Sequence, residues 1–240
     1  ALREFSDCYG AQAMSKNFVE QLQAKHWGRM HADYGDLPRA VGSESIAHKF
    51  LRYERISALF QGDQDFTLLD VGAGVGDYFG YIQTNLTQRN VHYTGTEITE
   101  AFCQAARHKY PGIYMEYRNI LDDPPVDPFD YVILSGVFHQ YGGVTQEDWK
   151  NYMERLIICA YEICEKGMAF NVLSNYVDFR TEGNYYGNLS QIMDFIVYRL
   201  SRFFSVDCAY PLFEATFCVY QPSHVGSVHQ QPDFQRYLGP

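Results

Sequence analysis

Apolar residues recur along this chain in two alternating patterns, one of strand length and one with helical spacing. The short apolar runs predict strands over 66–71, 91–97, 113–117, 129–135 and 167–172. The stretches between them predict helices over 77–86, 98–109 and 146–162. Strands that alternate with helices in this way are typical of a parallel sheet with helices on both faces.

Both ends of the chain depart from this alternation. At the start, helical spacing predicts helices over 13–28 and 44–61, and a loop from His31 to Gly42 separates them. In the second helix, the apolar positions expected to face the core are Ile46, Phe50, Leu51, Ile56 and Leu59. We therefore treat residues 1–42 as a helical N-terminal segment.

Near the C-terminus, a helix over 188–200 precedes two strands, over 203–210 and 213–220, which are joined by a short turn containing proline. Two strands joined by so short a turn predict an antiparallel hairpin. The expected fold is thus α/β, with a mostly parallel sheet closed by an antiparallel hairpin. The polar tail, 222–240, is expected to be ordered only in part.

Composition narrows the class of protein. A chain of 240 residues with 46 % hydrophobic residues fits one domain with a sizeable core. Its formal net charge of −10 and the lack of a basic stripe argue against a nucleic-acid partner. No apolar run is long enough to predict a membrane span. The six cysteines are scattered, so we expect reduced thiols in a cytoplasmic protein.

The first strand runs into a glycine-rich turn, Asp70-x-Gly72-x-Gly74-x-Gly76, and the second strand ends on Glu97. A strand, a glycine turn, a helix and a second strand ending on an acid form the layout of a nucleoside-binding βαβ unit. A dinucleotide-binding turn has its third glycine one position later, where this chain has Asp77. A carboxylate there would repel a pyrophosphate, so the spacing argues against a dinucleotide.

The glycine pattern resembles motif I of the class I S-adenosylmethionine (SAM) methyltransferases, and the resemblance covers roughly residues 43–221. It implies a seven-stranded sheet, an N-terminal helical lid, and SAM as cofactor with S-adenosylhomocysteine as product. The segment 1–42 would be the lid and residues 43–221 the SAM-binding domain. The ligand of this family has a sulfonium cation and no phosphate, which suits a turn flanked by acids.

The resemblance implies a role for each residue around the cofactor. Asp70 would orient the glycine turn or reach the methionine amino group, unless it only anchors the loop. Glu97 would accept hydrogen bonds from both ribose hydroxyls. Asn119 takes the position of the family's adenine-binding acid, and Ile120 would pack on the ring. The remaining expected cofactor contacts are Gly72, Ala73, Gly74, Gly76, Ile98 and Ser135.

The fourth strand ends close to His139 and Tyr141, at the sheet edge where ligands bind in such folds. His139 is a candidate general base that would remove a proton from the acceptor. The alternative is that its ring only packs against the cofactor or caps a turn. Tyr141 would orient the substrate, or is simply buried.

Five further residues are candidates for contact with the methyl acceptor. They come from the N-terminal loop and from the segment after the fifth strand, and they are Tyr34, Asn171, Tyr176, Tyr185 and Tyr186. With 20 tyrosines in the chain, any one of them is as readily explained by packing. No metal is expected, because the ends of the fourth and fifth strands lack the paired carboxylates that hold magnesium.

The leading hypothesis is SAM-dependent methylation of an oxygen or nitrogen of a small molecule, either free or attached to a carrier. An aminopropyltransferase shares the fold, but the paired acids that hold a polyamine are missing after the fourth strand. The chain could also be an inactive binding module of the same fold, or a domain cut from a larger synthase. The sequence predicts neither the acceptor nor the oligomeric state.

Overall fold

The protein is built on an eight-stranded sheet with helices on both faces. The computed structural model describes residues 18–35 and 45–238. Its strands are β1 (Asp65–Val71), β2 (Asn90–Glu97), β3 (Met115–Tyr117), β4 (Phe129–Leu134), β5 (Cys164–Ser174), β6 (Tyr186–Gly187), β7 (Phe204–Asp207) and β8 (Glu214–Tyr220). Its α-helices are α1 (Phe18–Tyr34), α2 (Ile46–Ser57), α3 (Asp77–Asn85), α4 (Glu100–Lys109), α5 (Gln146–Glu162), α6 (Leu189–Arg199) and α7 (Pro222–Val228).

The strands lie in the order β3-β2-β1-β4-β5-β8-β7, and the two-residue β6 pairs with the end of β5. The pairs β1/β2, β1/β4, β2/β3 and β4/β5 are parallel, whereas β8 is antiparallel to both β5 and β7. This topology confirms the predicted α/β class, the mostly parallel sheet and the C-terminal hairpin. None of the helices in residues 18–35 and 45–238 is long and apolar enough to cross a membrane.

The two faces of the sheet carry separate apolar cores, because alternate residues of each strand point in opposite directions. On β1, Leu69 and Val71 belong to the core that packs against α5, which includes Trp149 and Phe170. Phe66 and Leu68 face the other core, with Ile56, Phe60 and Tyr131. Burial on both faces explains why β1 reads as a nearly continuous apolar run.

The chain ends differ from the sequence prediction. The first helix continues through residues 31–34, which were expected to be loop, and ends at Gly35, whose φ is +58°. The tail was expected to be ordered only in part, yet α7 begins at Pro222 and a 3₁₀ turn follows at Pro232–Tyr237. Proline at the first helical position favours such a start, because its fixed φ suits a helix. Residues 1–17 and 36–44 lie outside the described residues.

The buried face of α2 also differs from the prediction. Ile46 and Phe50 were expected in the core, but their exposed fractions are 61 % and 43 %. Ile56 and Leu59 are fully buried, as predicted, and in α2 Ile56 shares its buried face with Lys49 and Tyr53. The prediction was wrong for Ile46 and Phe50 because it counted apolar residues only, whereas this face is buried together with a lysine.

Candidate functional site

A cleft opens at the carboxyl ends of β1, β2 and β4, where ligands bind in open α/β sheets. The space between its walls is about 980 Å³ when the open solvent at its mouth is included. The glycine turn forms its floor, and α1 and α2 contribute its outer wall through Gln23, Trp27, Lys49 and Arg52. We call this space the cofactor cleft, after the ligand that the sequence predicts.

The glycine turn has the backbone shape that its sequence predicts. Gly72, Gly74 and Gly76 have φ values of +72°, +56° and +77°, a region that other residues rarely adopt. A Cβ at Gly76 would lie 2.7 Å from Ile113, so the side of the turn away from the cleft also excludes a side chain. Backbone N–H groups of Gly72 and Ala73 donate to the Thr96 carbonyl, which ties the turn to β2.

Glu97 lines the cleft at the end of β2, where the prediction placed the ribose contact. Its carboxylate accepts hydrogen bonds from the backbone N–H groups of Gly74 (3.0 Å), Ile98 (2.8 Å) and Thr99 (3.1 Å). Burial raises the pKa of Glu97 to about 7, although these hydrogen bonds favour its ionised form. The carboxylate therefore braces the glycine turn, and the ribose contact stays a prediction.

Asp70 points away from the wall of the cleft and toward β2. Its carboxylate accepts a hydrogen bond of 2.8 Å from the hydroxyl of Tyr93. Burial, with the nearby charge of Glu97, raises the pKa of Asp70 to about 7. This environment fits the role of a loop anchor, and the predicted reach to the methionine amino group remains untested.

The predicted adenine contacts lie together at the β3 end of the cleft. Asn119 and Ile120 both line it, as do Ile98 and Phe102. The amide of Asn119 is partly engaged already, because its oxygen accepts from Leu121 N–H and its nitrogen donates to Asp122. Ile120 is 2 % exposed and presents an apolar surface suited to a flat ring. Ser135 lines the cleft at the end of β4.

Several polar atoms on the cleft wall are buried and have no hydrogen-bond partner in the described part of the chain. They are Gln23 Nε2, Thr96 Oγ1, Ser135 Oγ and Trp149 Nε1. Buried polar groups in native proteins normally find a partner, so each unpaired one needs an explanation. A ligand with hydroxyl, amino and ring-nitrogen groups provides such partners, and the wall therefore fits a nucleoside with an amino-acid tail.

His139 lies just outside the cleft wall, within a buried polar cluster formed by Arg52, His139, Asn171 and Glu214. Its Nε2 is 3.1 Å from Asn171 Nδ2 and 3.8 Å from Glu214 Oε2. Burial lowers the pKa of His139 to about 4, although Glu214 acts in the opposite direction. The ring is thus neutral at physiological pH. These surroundings favour a packing and hydrogen-bonding role, while the general-base role stays a prediction.

Glu214 is the charged centre of this cluster. Burial disfavours its ionised form, but the charge that His139 carries at low pH, together with the charge of Arg52, outweighs burial and lowers the pKa of Glu214 to about 2. It accepts hydrogen bonds from Arg52 Nε (2.9 Å) and Nη2 (2.5 Å) and from Asn171 Nδ2 (2.5 Å). The Asn171 side-chain oxygen in turn accepts from the Gly136 N–H at 2.8 Å. The cluster therefore connects β8 and β5 with the cleft.

The remaining predicted acceptor contacts lie outside the cleft wall. The loop after β4 and the segment before α6 are joined by hydrogen bonds from Tyr141 N–H to the Gly183 carbonyl and from Tyr185 N–H to the His139 carbonyl. Tyr186 accepts from Thr181 N–H through its hydroxyl. Tyr176 is 70 % exposed, and Tyr34 lies at the partly exposed end of α1. Contact of these residues with an acceptor stays a prediction.

Several cleft residues were missed by the sequence prediction. They come from α1, α2 and α5, and they include Gln23, Trp27, Lys49, Arg52, Tyr53, Trp149 and Tyr152. The signal on α2 was present: Lys49, Arg52, Tyr53 and Ile56 share one helical face. Charged residues on a face that also carries Ile56 indicate buried ion pairs, and Lys49 indeed pairs with Asp77 at the start of α3.

Within residues 18–35 and 45–238, no group of three or more histidine, cysteine or acidic side chains is placed to hold a metal ion. The ends of β4 and β5 carry Ser135 and Asn171 near the cleft. The acids of the cleft wall, Asp77 and Glu97, have partners in Lys49 and in backbone N–H groups.

Comparison with known proteins shows which domain this chain resembles. Residues 69–158 match the sequence model of a methyltransferase domain. A comparison with curated proteins gives no significant match. The matched stretch begins on β1 and ends in α5, so it includes the glycine turn, Glu97, Asn119 and His139.

Solved structures of methyltransferases share the fold at low sequence identity. Magnesium protoporphyrin IX methyltransferase (ChlM) from Synechocystis PCC 6803 with bound SAM is 14 % identical, with a TM-score of 0.55 over 87 % of this chain and 100 % of that chain. A DhpI–SAM–HEP complex is 12 % identical, with a TM-score of 0.60 over 85 % and 99 %. N-methyltransferase NodS from Bradyrhizobium japonicum WM9 with S-adenosylhomocysteine is 13 % identical, with a TM-score of 0.57 over 86 % and 99 %.

These matches confirm the family resemblance seen in the sequence. Residues 69–158 are similar to a methyltransferase domain, and the fold of the chain is that of the class I SAM-dependent methyltransferases. At identities of 12–14 % the structural likeness concerns the fold, so the choice of acceptor has to be argued from this chain's own residues.

Proposed function

We propose that this protein is a SAM-dependent methyltransferase that acts on an oxygen or nitrogen of a small molecule. The observation that carries the proposal is the order of groups along the cofactor cleft. Asn119 and Ile120 follow β3, Glu97 ends β2, and the glycine turn follows β1, and each of these three positions contributes to the lining of the cleft. The family-model match over this stretch and the SAM-bound neighbours support the same cofactor.

The chemistry asks little of the protein beyond positioning. When bound, the cofactor supplies a methyl group that is attached to a sulfonium. The acceptor attacks this methyl group in line, and the rest of the cofactor leaves as a neutral thioether. The cleft residues hold the donor in a fixed place, and such positioning supplies much of the rate. A neutral, buried His139 is a weak base, so an acceptor that is already deprotonated suits this site best.

The net charge and the structural neighbours both support a small-molecule acceptor. The net charge of −10 disfavours the phosphate backbone of a nucleic acid. The structural neighbours include a methyltransferase of magnesium protoporphyrin IX, which is a small molecule, and an N-methyltransferase. An acceptor attached to a carrier is compatible with the same chemistry.

The test of the cofactor assignment is calorimetric binding of SAM and S-adenosylhomocysteine to the purified chain. We expect micromolar affinity for both. Gly74→Val blocks the turn and Glu97→Ala removes its brace, so each is expected to abolish binding. The matched controls are Gly62→Val and Glu165→Ala, which alter exposed residues outside the cleft wall and keep the affinity of the unsubstituted protein.

Two outcomes would contradict the proposal. One is a folded wild-type chain that binds neither compound. The other is unchanged affinity in both cleft variants, which would show that Gly74 and Glu97 are not needed to bind the cofactor. Transfer of a labelled methyl group to a panel of hydroxy and amino metabolites then separates an enzyme from an inactive binding module.

A further inference from the structure

A buried ion pair holds one cation of the cofactor cleft in a fixed orientation. Arg52 on α2 donates two hydrogen bonds to the Glu214 carboxylate on β8, through Nε at 2.9 Å and Nη2 at 2.5 Å. This parallel arrangement fixes the plane of the guanidinium, because both groups are flat and matched in geometry. Glu214 has its own position fixed by Asn171 Nδ2 at 2.5 Å.

The third nitrogen of the guanidinium remains available. Nη1 of Arg52 makes no hydrogen bond with any of the described residues, whereas Nε and Nη2 are both engaged. It lies 3.5 Å from the point where a Cβ would stand on Gly136, immediately after the end of β4. Arg52 and Gly136 both line the cleft, but Glu214 does not. The guanidinium of Arg52 therefore lines the cleft, whereas the carboxylate that neutralises its charge lies outside the cleft wall.

The strand order fixes which part of a bound ligand reaches this nitrogen. Along the sheet, β3, β2, β1 and β4 are neighbours in that order, and they span roughly 14 Å at the usual strand spacing. The predicted adenine contacts follow β3, and the predicted ribose contact ends β2. A ligand that continues in the same direction passes the glycine turn after β1 and brings its far end to β4 and Arg52.

We propose that Arg52 Nη1 binds the carboxylate at the amino-acid end of the cofactor, and that Glu214 is the positioning residue that holds Arg52 for this contact. The proposal rests on the proposed function, because it takes SAM as the ligand. It assigns a role to the C-terminal hairpin, which lies far from the cofactor motifs in sequence. A carboxylate is the natural partner of the free edge of a guanidinium.

The remaining cations of the cleft are less suited to this contact. Lys49 pairs with Asp77, and the Asp77 carboxylate itself lines the cleft, so an anion beside Lys49 would meet a negative charge. Arg118 lies at the β3 end and pairs with Glu116 at 2.7 Å and Asp123 at 3.3 Å. A carboxylate on the acceptor is the competing source of the same chemistry at Arg52.

The experiment compares SAM with decarboxylated SAM, which differ only in the carboxylate. Calorimetry gives the ratio of their dissociation constants for wild type, for Glu214→Gln and for the double variant Arg52→Met/Glu214→Met. The double variant replaces the ion pair by apolar side chains of similar size, so that no buried charge is left without a partner. The control is Arg55→Met, on the same helix, which removes a cation that pairs with Asp207 outside the cleft wall.

We expect wild type and the control to bind SAM about tenfold or more tightly than decarboxylated SAM. The ratio falls to near one in the double variant and to an intermediate value in Glu214→Gln. A purely structural loss weakens both ligands equally and leaves the ratio unchanged, so the ratio separates a positioning role from a role in folding.

Three results would overturn the proposal. Equal binding of both compounds by wild type shows that the carboxylate is not recognised. An unchanged ratio in the double variant would show that another group binds the carboxylate, or that Arg52 binds the acceptor instead. An unchanged ratio in Glu214→Gln removes the positioning role. If wild type binds neither compound, the proposed function itself fails, which is a distinct result.

Discussion

At the scale of single residues, Asp70 combines a cofactor-motif position with a buried setting. The electrostatic effect of its charge reaches the phenols of Tyr53, Tyr78 and Tyr93, and only the Tyr93 hydroxyl donates to it among the described residues. Because burial raises its pKa to about 7, the folded protein keeps a proton on Asp70 at pH 5 that the unfolded chain has largely lost. This carboxyl therefore stabilises the fold at low pH and loses that contribution as the pH rises through 7.

The variant Asp70→Asn tests the direction in which the contribution of Asp70 to stability changes with pH. The free energy of unfolding of the variant, relative to wild type, should increase by about 2–3 kcal/mol between pH 5 and pH 8. Urea unfolding at several pH values measures it, and the difference between the two proteins cancels the effect of the other titrating groups. An unchanged difference across this range would show that Asp70 is solvated in the folded protein.

His139 gives a second prediction at this scale. With a pKa lowered to about 4, chiefly by burial, its ring is neutral from about pH 5 upward. We expect His139→Gln to lower kcat less than tenfold and to leave the shape of the pH–rate profile between 6 and 8 unchanged, once an acceptor is known. A loss of about 100-fold or more, together with a changed profile, would instead establish the general-base role.

The residues that could be predicted from sequence are those whose chemistry is local. Gly72, Gly74 and Gly76 and the acid Glu97 are set by the turn they belong to, and all but Gly76 line the cleft. Arg52 and Glu214 are separated by 162 positions and meet only because the sheet brings β8 beside β5. No local pattern contains that contact, although a lone acid in the apolar strand 213–220 is a usable signal.

At the scale of elements, the Arg52–Glu214 pair joins α2 to β8. Removing one partner leaves the other buried and charged, so Arg52→Met and Glu214→Met should each lower the free energy of unfolding by about 3–5 kcal/mol. The double variant should lose less than either single variant, because two apolar side chains pack in place of the ion pair. Urea unfolding of the four proteins gives the coupling energy directly.

Additive losses in this cycle would contradict the prediction, since they would show that the two side chains do not interact. Arg55→Met provides the comparison, because the exposed fraction of its side chain is 32 % and its pair with Asp207 is partly solvated. Its loss is expected to stay below about 1 kcal/mol.

The elements with strong apolar periodicity were predicted well, and those set by other forces were not. Strands β1, β2 and β4 were predicted within one residue at each end. In β1 and β4 burial on both faces gives nearly continuous apolar runs. The strand β5 is longer than predicted, since its ends, Cys164 and Ser174, are held by pairing with neighbouring strands. The two-residue β6 has no sequence signal and depends on the end of β5 for its pairing.

At the scale of the whole molecule, the strand order of the sheet brings together segments that are far apart in sequence. The C-terminal hairpin pairs with β5, so the last third of the chain adds a charged group behind the cleft that the first third opens. Helix α1 is linked to the far side of the cleft by His26 and Gln140 at 3.2 Å and by Glu20 and Arg155 at 3.6 Å. The sequence predicted each of these segments, but not which of them meet.

The chain has two tryptophans, Trp27 on α1 and Trp149 on α5, and both line the cofactor cleft. The protein therefore carries its own optical reporter, because any molecule that fills the cleft alters the surroundings of every indole in the chain. Titration with S-adenosylhomocysteine should change the emission in a saturable way, with part of the signal retained in Trp27→Phe. The same unlabelled signal lets a collection of candidate acceptors be sorted by whether they bind, before any product has been identified.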